Sequence, residues 1–336
     1  MANWRRFLVL LSALLLTGSL ASCSQNDNSA DSLVIYSGRS EEFIAPFFAA
    51  FTEETGIELD VRYGDSAALA AQILEEGANS PADIFLSQDA GALGAVAGEG
   101  LLRTLDTSTL NRVDQRFRSA GNEWVGITGR VRVLAYSPDR VSKFPKSVDD
   151  LIKPEWKGRI GIAPTNSSFQ AFVTAMIQSR GEEATESWLR ALASNSPRYY
   201  EKNSLIVQAI DAGEIDAGLV NHYYIWEVSE ELGRDVNAEI KFFEPGDIGN
   251  LINVSGAGIL NSSTKESSAA KLIQYLLSDQ VQKRFVVDTH EYSIVLPELR
   301  PENLPALSEI KAPNISLAEL ADLKRTQALL IKVGML

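Results

Sequence analysis

Cysteine occurs once and histidine twice in the 336 residues, and cationic side chains are outnumbered, 31 Lys and Arg against 44 Asp and Glu. One cysteine excludes an internal disulfide. Two histidines leave too small a pool for a His-rich zinc site or for most Ser-His-Asp and Cys-His catalytic designs. The formal charge of −13 repels phosphate backbones and anionic lipid surfaces, which argues against nucleic acid or a polybasic membrane patch as the main partner. No nucleophile–base pairing, glycine-rich phosphate loop or His-carboxylate metal motif stands in the sequence, so a binding protein rather than an enzyme is expected. The apolar run from Phe7 to Leu16 is too short to cross a bilayer. What is present is globular: 45% of residues are hydrophobic and 22% charged, and the length suits about two domains, each able to bury its own core.

Arg5 and Arg6 ahead of that run, and Thr17-Gly18-Ser19 behind it, give residues 1–22 the layout of a signal peptide. Leu20-Ala21-Ser22-Cys23 resembles the bacterial lipobox, in which the cysteine is lipidated and becomes the first mature residue. Cys23 is therefore the expected lipidation site, and residues 23–31 the lipidated terminus and polar tether. Removing residues 1–22 takes two arginines with it, so −13 becomes −15. An acidic protein anchored outside the cytoplasmic membrane follows.

Beyond the tether, short β-rich runs alternate with helical periods. Leu33–Tyr36, Glu58–Tyr63 and Asp83–Leu86 read as strands, and Phe43, Phe47, Ala50 and Phe51 mark one helix face. Further strands are expected at Val131–Tyr136, Arg159–Ala163 and Ala217–Val220, with helices after Pro164 and Asn221 and amphipathic helices at Ser267–Leu277 and Ala318–Val333. Such alternation predicts an α/β fold with parallel sheets covered on both faces. Four polar clusters fall at strand-to-helix junctions: Ser37–Ser40, Ser87–Asp89, Asn166–Ser168 and Asn221–Tyr224. Free N–H groups and the positive dipole end make such junctions able to hold an anion.

Tyrosine occurs in two doublets, Tyr199-Tyr200 and Tyr223-Tyr224. Adjacent residues on a helix diverge by about 100°. The second doublet therefore either packs against two surfaces or, if the backbone is still turning, converges two phenol oxygens on one ligand. A hard trivalent cation would draw phenolate from such a pair.

From Leu33 to about Leu296 the chain resembles the ferric-iron-binding proteins of bacterial ABC importers, in the type II periplasmic binding-protein superfamily. The resemblance rests on Val34-Ile35-Tyr36-Ser37-Gly38-Arg39, Phe51–Ile57, Pro81-Ala82-Asp83-Ile84-Phe85, Trp156–Gly161, Gly213–Val220 and Asn221-His222-Tyr223-Tyr224. It implies two α/β lobes with a hinge and an interlobe ligand cleft: residues 32–129 and 254–299 in lobe 1, residues 130–253 and 300–336 in lobe 2. By the same resemblance Tyr223, Tyr224 and Tyr136 bind Fe(III). Asn166, Ser167, Ser168, Asn203 and Asn221 would hold a synergistic carbonate or phosphate, joined by Arg39.

Two positions depart from the family: Ser40 stands where many members have a histidine ligand, and Gln88 where they have a glutamate. Both are candidate lobe-1 contacts. His222 is expected at the surface, and His290 as a structural residue. The implied partners are an ABC permease and its ATPase, with the protein itself a monomer held by lipid at the outer face of the cell membrane. Relatives on this fold also carry phosphonate, thiamine or polyamines. For polyamine, only Asp89 and Glu41 offer cleft carboxylates.

Overall fold

The computed structural model describes residues 32–336, so the expected signal peptide, Cys23 and the tether lie outside the described residues. In chain order the elements are β1 (Leu33–Ser37), α1 (Glu41–Thr55), β2 (Leu59–Tyr63), α2 (Ser66–Glu76), β3 (Ile84–Ser87), α3 (Ala90–Gly98), α4 (Thr107–Leu110) and β4 (Trp124–Tyr136). There follow β5 (Ile160–Ile162), α5 (Ser167–Arg180), α6 (Glu182–Ser194), β6 (Arg198–Tyr199), α7 (Asn203–Asp211), β7 (Ala217–Asn221), α8 (Tyr224–Leu232) and β8 (Glu239–Lys241). The last are β9 (Ile252–Ile259), α9 (Glu266–Leu276), α10 (Asp279–Asp288), β10 (Tyr292–Ser293) and α11 (Leu323–Lys332). Of the face expected of α1, Phe47 and Phe51 are buried and Phe43 and Ala50 half-buried, with Phe47 stacked on Phe285 of α10 at 4.1 Å.

The strands line up as β2-β1-β3-β9-β4-β7-β5-β6, with β8 and β10 added on β4. β1 pairs parallel with β2 and β3, and β5 parallel with β6 and β7. The all-parallel expectation fails at β4 and β9, which run antiparallel to their neighbours. The reason lies in their task. Residues Trp124–Val131 of β4 pair with β9, whereas Arg132–Tyr136 pair with β7 and β8, so one buried strand serves both halves of the fold. At the crossover the Arg132 N–H donates to the Leu251 carbonyl at 2.9 Å, tying β4 to the segment that leads into β9.

The first half of β4 and all of β9 escape a periodicity reading because glycine and polar residues interrupt both. Packing requires them: a Cβ on Gly256 would stand 2.7 Å from the Val125 carbonyl. At the C-terminus the single helix expected over Ala318–Val333 is two pieces. A 3-10 turn at Leu317–Ala321 ends at Asp322, whose carboxylate caps α11 by accepting the Arg325 N–H. This terminal segment touches both halves: a Cβ on Gly94 of α3 would meet Ala321 at 2.6 Å, and Thr326 is hydrogen-bonded to Thr174 of α5. No helix among the described residues is long and apolar enough to cross a membrane.

Candidate functional site

All four polar junctions follow strands as expected: β1–α1, β3–α3, β5–α5 and β7–α8. At the last, Tyr223 sits in the turn ahead of α8 and Tyr224 begins the helix. Val133, Ile206, Val207, Ile210, Val220 and Val228 form a small core with the two rings. Because the backbone is still turning, the rings do not diverge but stack, 4.4 Å between centroids at 30°. Both are buried. From the β3–α3 junction, Gln88 Nε2 donates to the Tyr223 hydroxyl at 3.0 Å and to that of Tyr224 at 3.1 Å. One nitrogen reaching both oxygens means that the phenols converge on one point.

Three buried arginines lie within electrostatic reach of the two tyrosines. Arg39 lies 3.7 Å above the Phe43 ring and 5.6 Å from the Tyr223 ring centroid, and pairs with the Glu291 carboxylate at 3.4 Å. Burial opposes its charge, but Glu291 and the two phenols outweigh that cost and raise its pKa. Arg130, wholly buried, has no hydrogen-bond partner on any guanidinium nitrogen among the described residues, and burial lowers its pKa. Arg132 donates to the carbonyls of Ser168 at 3.1 Å and Leu219 at 3.3 Å, and burial brings its pKa down to about 9. A buried guanidinium without hydrogen bonds is costly, so Arg130 favours an anion beside it. Tyr224 is nevertheless raised well above the ordinary phenol range, first by burial and then by Tyr223 and Glu227, so it stays protonated at neutral pH.

Asn166 caps α5 and gathers its neighbours: its Oδ1 accepts from the Ser168 N–H at 3.1 Å, the Ser168 hydroxyl at 2.6 Å and Asn203 Nδ2 at 3.2 Å. Asn203 Oδ1 and Asn221 Nδ2 are buried with no partner among the described residues. Ser167 Oγ faces Gln88 Oε1 at 3.5 Å. Two phenols that become hard anionic donors on losing their protons thus stand beside buried cations and a capped helix start.

Tyr136 is not brought to this site. It ends β4 four residues beyond Arg132, about 13 Å along the strand, where its hydroxyl donates to Glu239 at 2.6 Å. Burial and then that carboxylate push its pKa up to about 12. Ser40 caps α1 through the backbone alone and is exposed, so of the two candidate lobe-1 contacts only Gln88 reaches the tyrosines. His222 is buried rather than superficial: its Nδ1 accepts from the Val131 N–H at 3.2 Å, which makes Nε2–H the donor to the His290 carbonyl at 2.8 Å. His290 stacks on Trp226 at 4.9 Å.

Arg130, Arg132 and Glu291 escape the sequence reading. The available signal was Gly129-Arg130-Val131-Arg132, two charges inside a β-rich run where a buried strand tolerates few. Asp89 caps α3 by accepting the Ala92 N–H at 3.0 Å; its other oxygen has no hydrogen-bond partner among the described residues, and burial raises its pKa. It is no exposed polyamine contact.

A buried, charge-lined candidate site where junctions from both halves of a two-lobed α/β fold meet is the arrangement of a solute-binding class of protein. The chain belongs to the bacterial extracellular solute-binding protein family, whose model matches residues 79–318. It is 33% identical to the Fe(3+)-binding periplasmic protein of Serratia marcescens, covering 96% of this chain and 97% of that one. Against the major ferric iron-binding protein of Neisseria meningitidis it is 34% identical, covering 90% and 93% respectively. Among solved structures, iron-bound HitA from Pseudomonas aeruginosa superposes with a TM-score of 0.86 at 34% identity, over 90% of this chain and 99% of that one.

Proposed function

We propose that this protein is the extracytoplasmic binding component of an ABC importer that captures ferric iron together with a synergistic anion and delivers it to a membrane permease and its ATPase. The observation that carries this reading is the convergence of the Tyr223 and Tyr224 hydroxyls on one atom, at 3.0 and 3.1 Å, inside an arginine-lined site. Two phenolates would hold the iron as cargo. Carbonate or phosphate would sit at Asn166, Ser167, Ser168, Asn203 and Asn221, where Arg39 balances its charge.

In this reading lobe 1 comprises residues 32–129 and 254–299, lobe 2 residues 130–253 and 300–336, and the crossover in β4 is the hinge. Ligand contacts made only in the shut state favour closure, and the closed form docks on the permease. Lipid on Cys23 keeps a monomer at the outer face of the membrane, close to that permease. The test is optical. Ferric iron added with bicarbonate or phosphate should produce a visible tyrosinate-to-iron band, and replacing both Tyr223 and Tyr224 with Phe should abolish it. A wild-type protein that stays colourless under both anions would overturn the iron assignment.

A further inference from the structure

We propose that Glu291 sets the charge of the anion that the tyrosine site takes. As the buried counterion of Arg39 it removes one positive charge, so that a singly charged oxyanion of the carboxylate or bicarbonate type competes with a doubly charged one. The proposal deepens the reading above and rests on it for the anion, but not for the iron. Glu291 directly precedes β10 and is fully buried. Its Oε2 accepts from the Thr128 hydroxyl at 2.6 Å, and Thr128 Oγ1 lies 2.6 Å from the Ser255 hydroxyl. A hydroxyl has one proton to give, so with Thr128 donating to the carboxylate its oxygen accepts from Ser255, and both protons point toward Glu291. That polarity favours the anionic form. The strands fix this chain of hydroxyls, because Thr128 is the ladder partner of Ser255 in β9 and of Ser293 in β10.

The other carboxylate oxygen, Oε1, stands 3.4 Å from Arg39 Nη1. This is a contact of charges and not a hydrogen bond: Glu291 Oε1 and Arg39 Nη1 and Nε have no hydrogen-bond partner among the described residues. Glu291 therefore cancels the charge of Arg39 while leaving its N–H groups free to meet an oxyanion. Arg39 follows β1, Thr128 lies in the part of β4 that pairs with β9, and Glu291 leads into β10, so none of these contacts crosses to the β7 half of the sheet. Without the carboxylate the same donors would carry one more unit of charge. Attraction to that unit is twice as large for a dianion as for a monoanion at the same distance.

Sulfate and formate, whose charges are fixed at neutral pH, are the probes, titrated calorimetrically into protein stripped of iron. Glu291→Gln keeps the shape and the bond from Thr128 but not the charge. It should raise the ratio of sulfate to formate affinity about tenfold, the order expected of one unit charge several ångströms away at an effective dielectric constant of about 20. Glu291→Asp keeps the charge and should keep the wild-type ratio, whatever it loses in stability. Arg39→Met should lower the ratio, and adding Glu291→Gln to it should restore the wild-type value, although both anions bind more weakly. An unchanged or lowered ratio in Glu291→Gln overturns the proposal, as does a wild type that binds neither anion. Equal ratios in Arg39→Met and the double variant also overturn it, so this pair judges Glu291 even where Glu291→Gln alone does not fold. The calorimetry needs no iron: a colourless protein in the optical test would sink the iron reading while the sulfate-to-formate ratio still judges Glu291.

Discussion

Tyr224 keeps its proton because its ring is buried beside Tyr223 and Glu227, and in the proposed site that proton would link iron capture to pH. Iron requires the phenolate, so protons and iron compete: the bound form is favoured as pH rises and lost as it falls. With two phenols giving up protons, apparent affinity should drop by up to about two decades per pH unit on acidification. Chelator competition between pH 5.5 and 8 checks this, and a flat profile would remove the tyrosines from the site. Tyr136 offers the contrast. Tyr136→Phe should leave the absorption band intact and cost only about 1 kcal/mol of stability through the lost bond to Glu239. Arg130→Met removes a wholly buried guanidinium that has no hydrogen-bond partner among the described residues, so the metal-free variant should melt higher than wild type while binding iron and anion more weakly. A lower melting temperature would mean that the guanidinium is satisfied in the folded protein.

The elements beneath the site depend on close approach and on one buried imidazole. A Cβ on Gly218 of β7 would stand 2.3 Å from the Ile206 side chain of α7 and 3.0 Å from the Gly161 carbonyl of β5. Gly218→Ala should therefore cost about 1–3 kcal/mol by overpacking, measured by denaturant unfolding. It should also loosen the strand that aims Tyr223. His222 bridges β4 to the segment before β10, and burial holds its pKa at about 4 against an ordinary 6.5. Folded His222 resists a proton that the unfolded chain accepts, so its contribution is complete above about pH 6.5 and declines as pH falls toward 4. The loss amounts to about 3 kcal/mol. Unfolding midpoints at pH 7.5 and 5 should differ more for wild type than for His222→Gln.

At the scale of the molecule, the site draws on β1, β3, β5 and β7 junctions, so a ligand there ties both halves of the sheet together. Iron with its anion at a hundredfold excess over Kd should stabilise the whole chain by about 2.7 kcal/mol, visible by calorimetry as a higher unfolding temperature. Stripping the iron with a chelator should reverse the shift. The acidic balance, −13 over the chain, favours a cationic cargo at long range and is screened by salt.

How much of this was legible follows from range. Strand and helix periods, turn residues and caps act within a few positions, so the junctions, the α1 core face and the Tyr223-Tyr224 doublet could be read directly from residues. Family resemblance pointed to Asn166 and Gln88 as well. Tertiary structure alone decided which junctions meet. Gln88 and Tyr223 touch across 135 positions of sequence, a contact set by the β4 crossover and by no local pattern. The same crossover carried Tyr136 away from the site, made β4 and β9 antiparallel, and buried Arg130 and Arg132 within electrostatic reach of the tyrosines. Local residue chemistry supplied the donors, whereas the packing of distant segments determined which of them share one point.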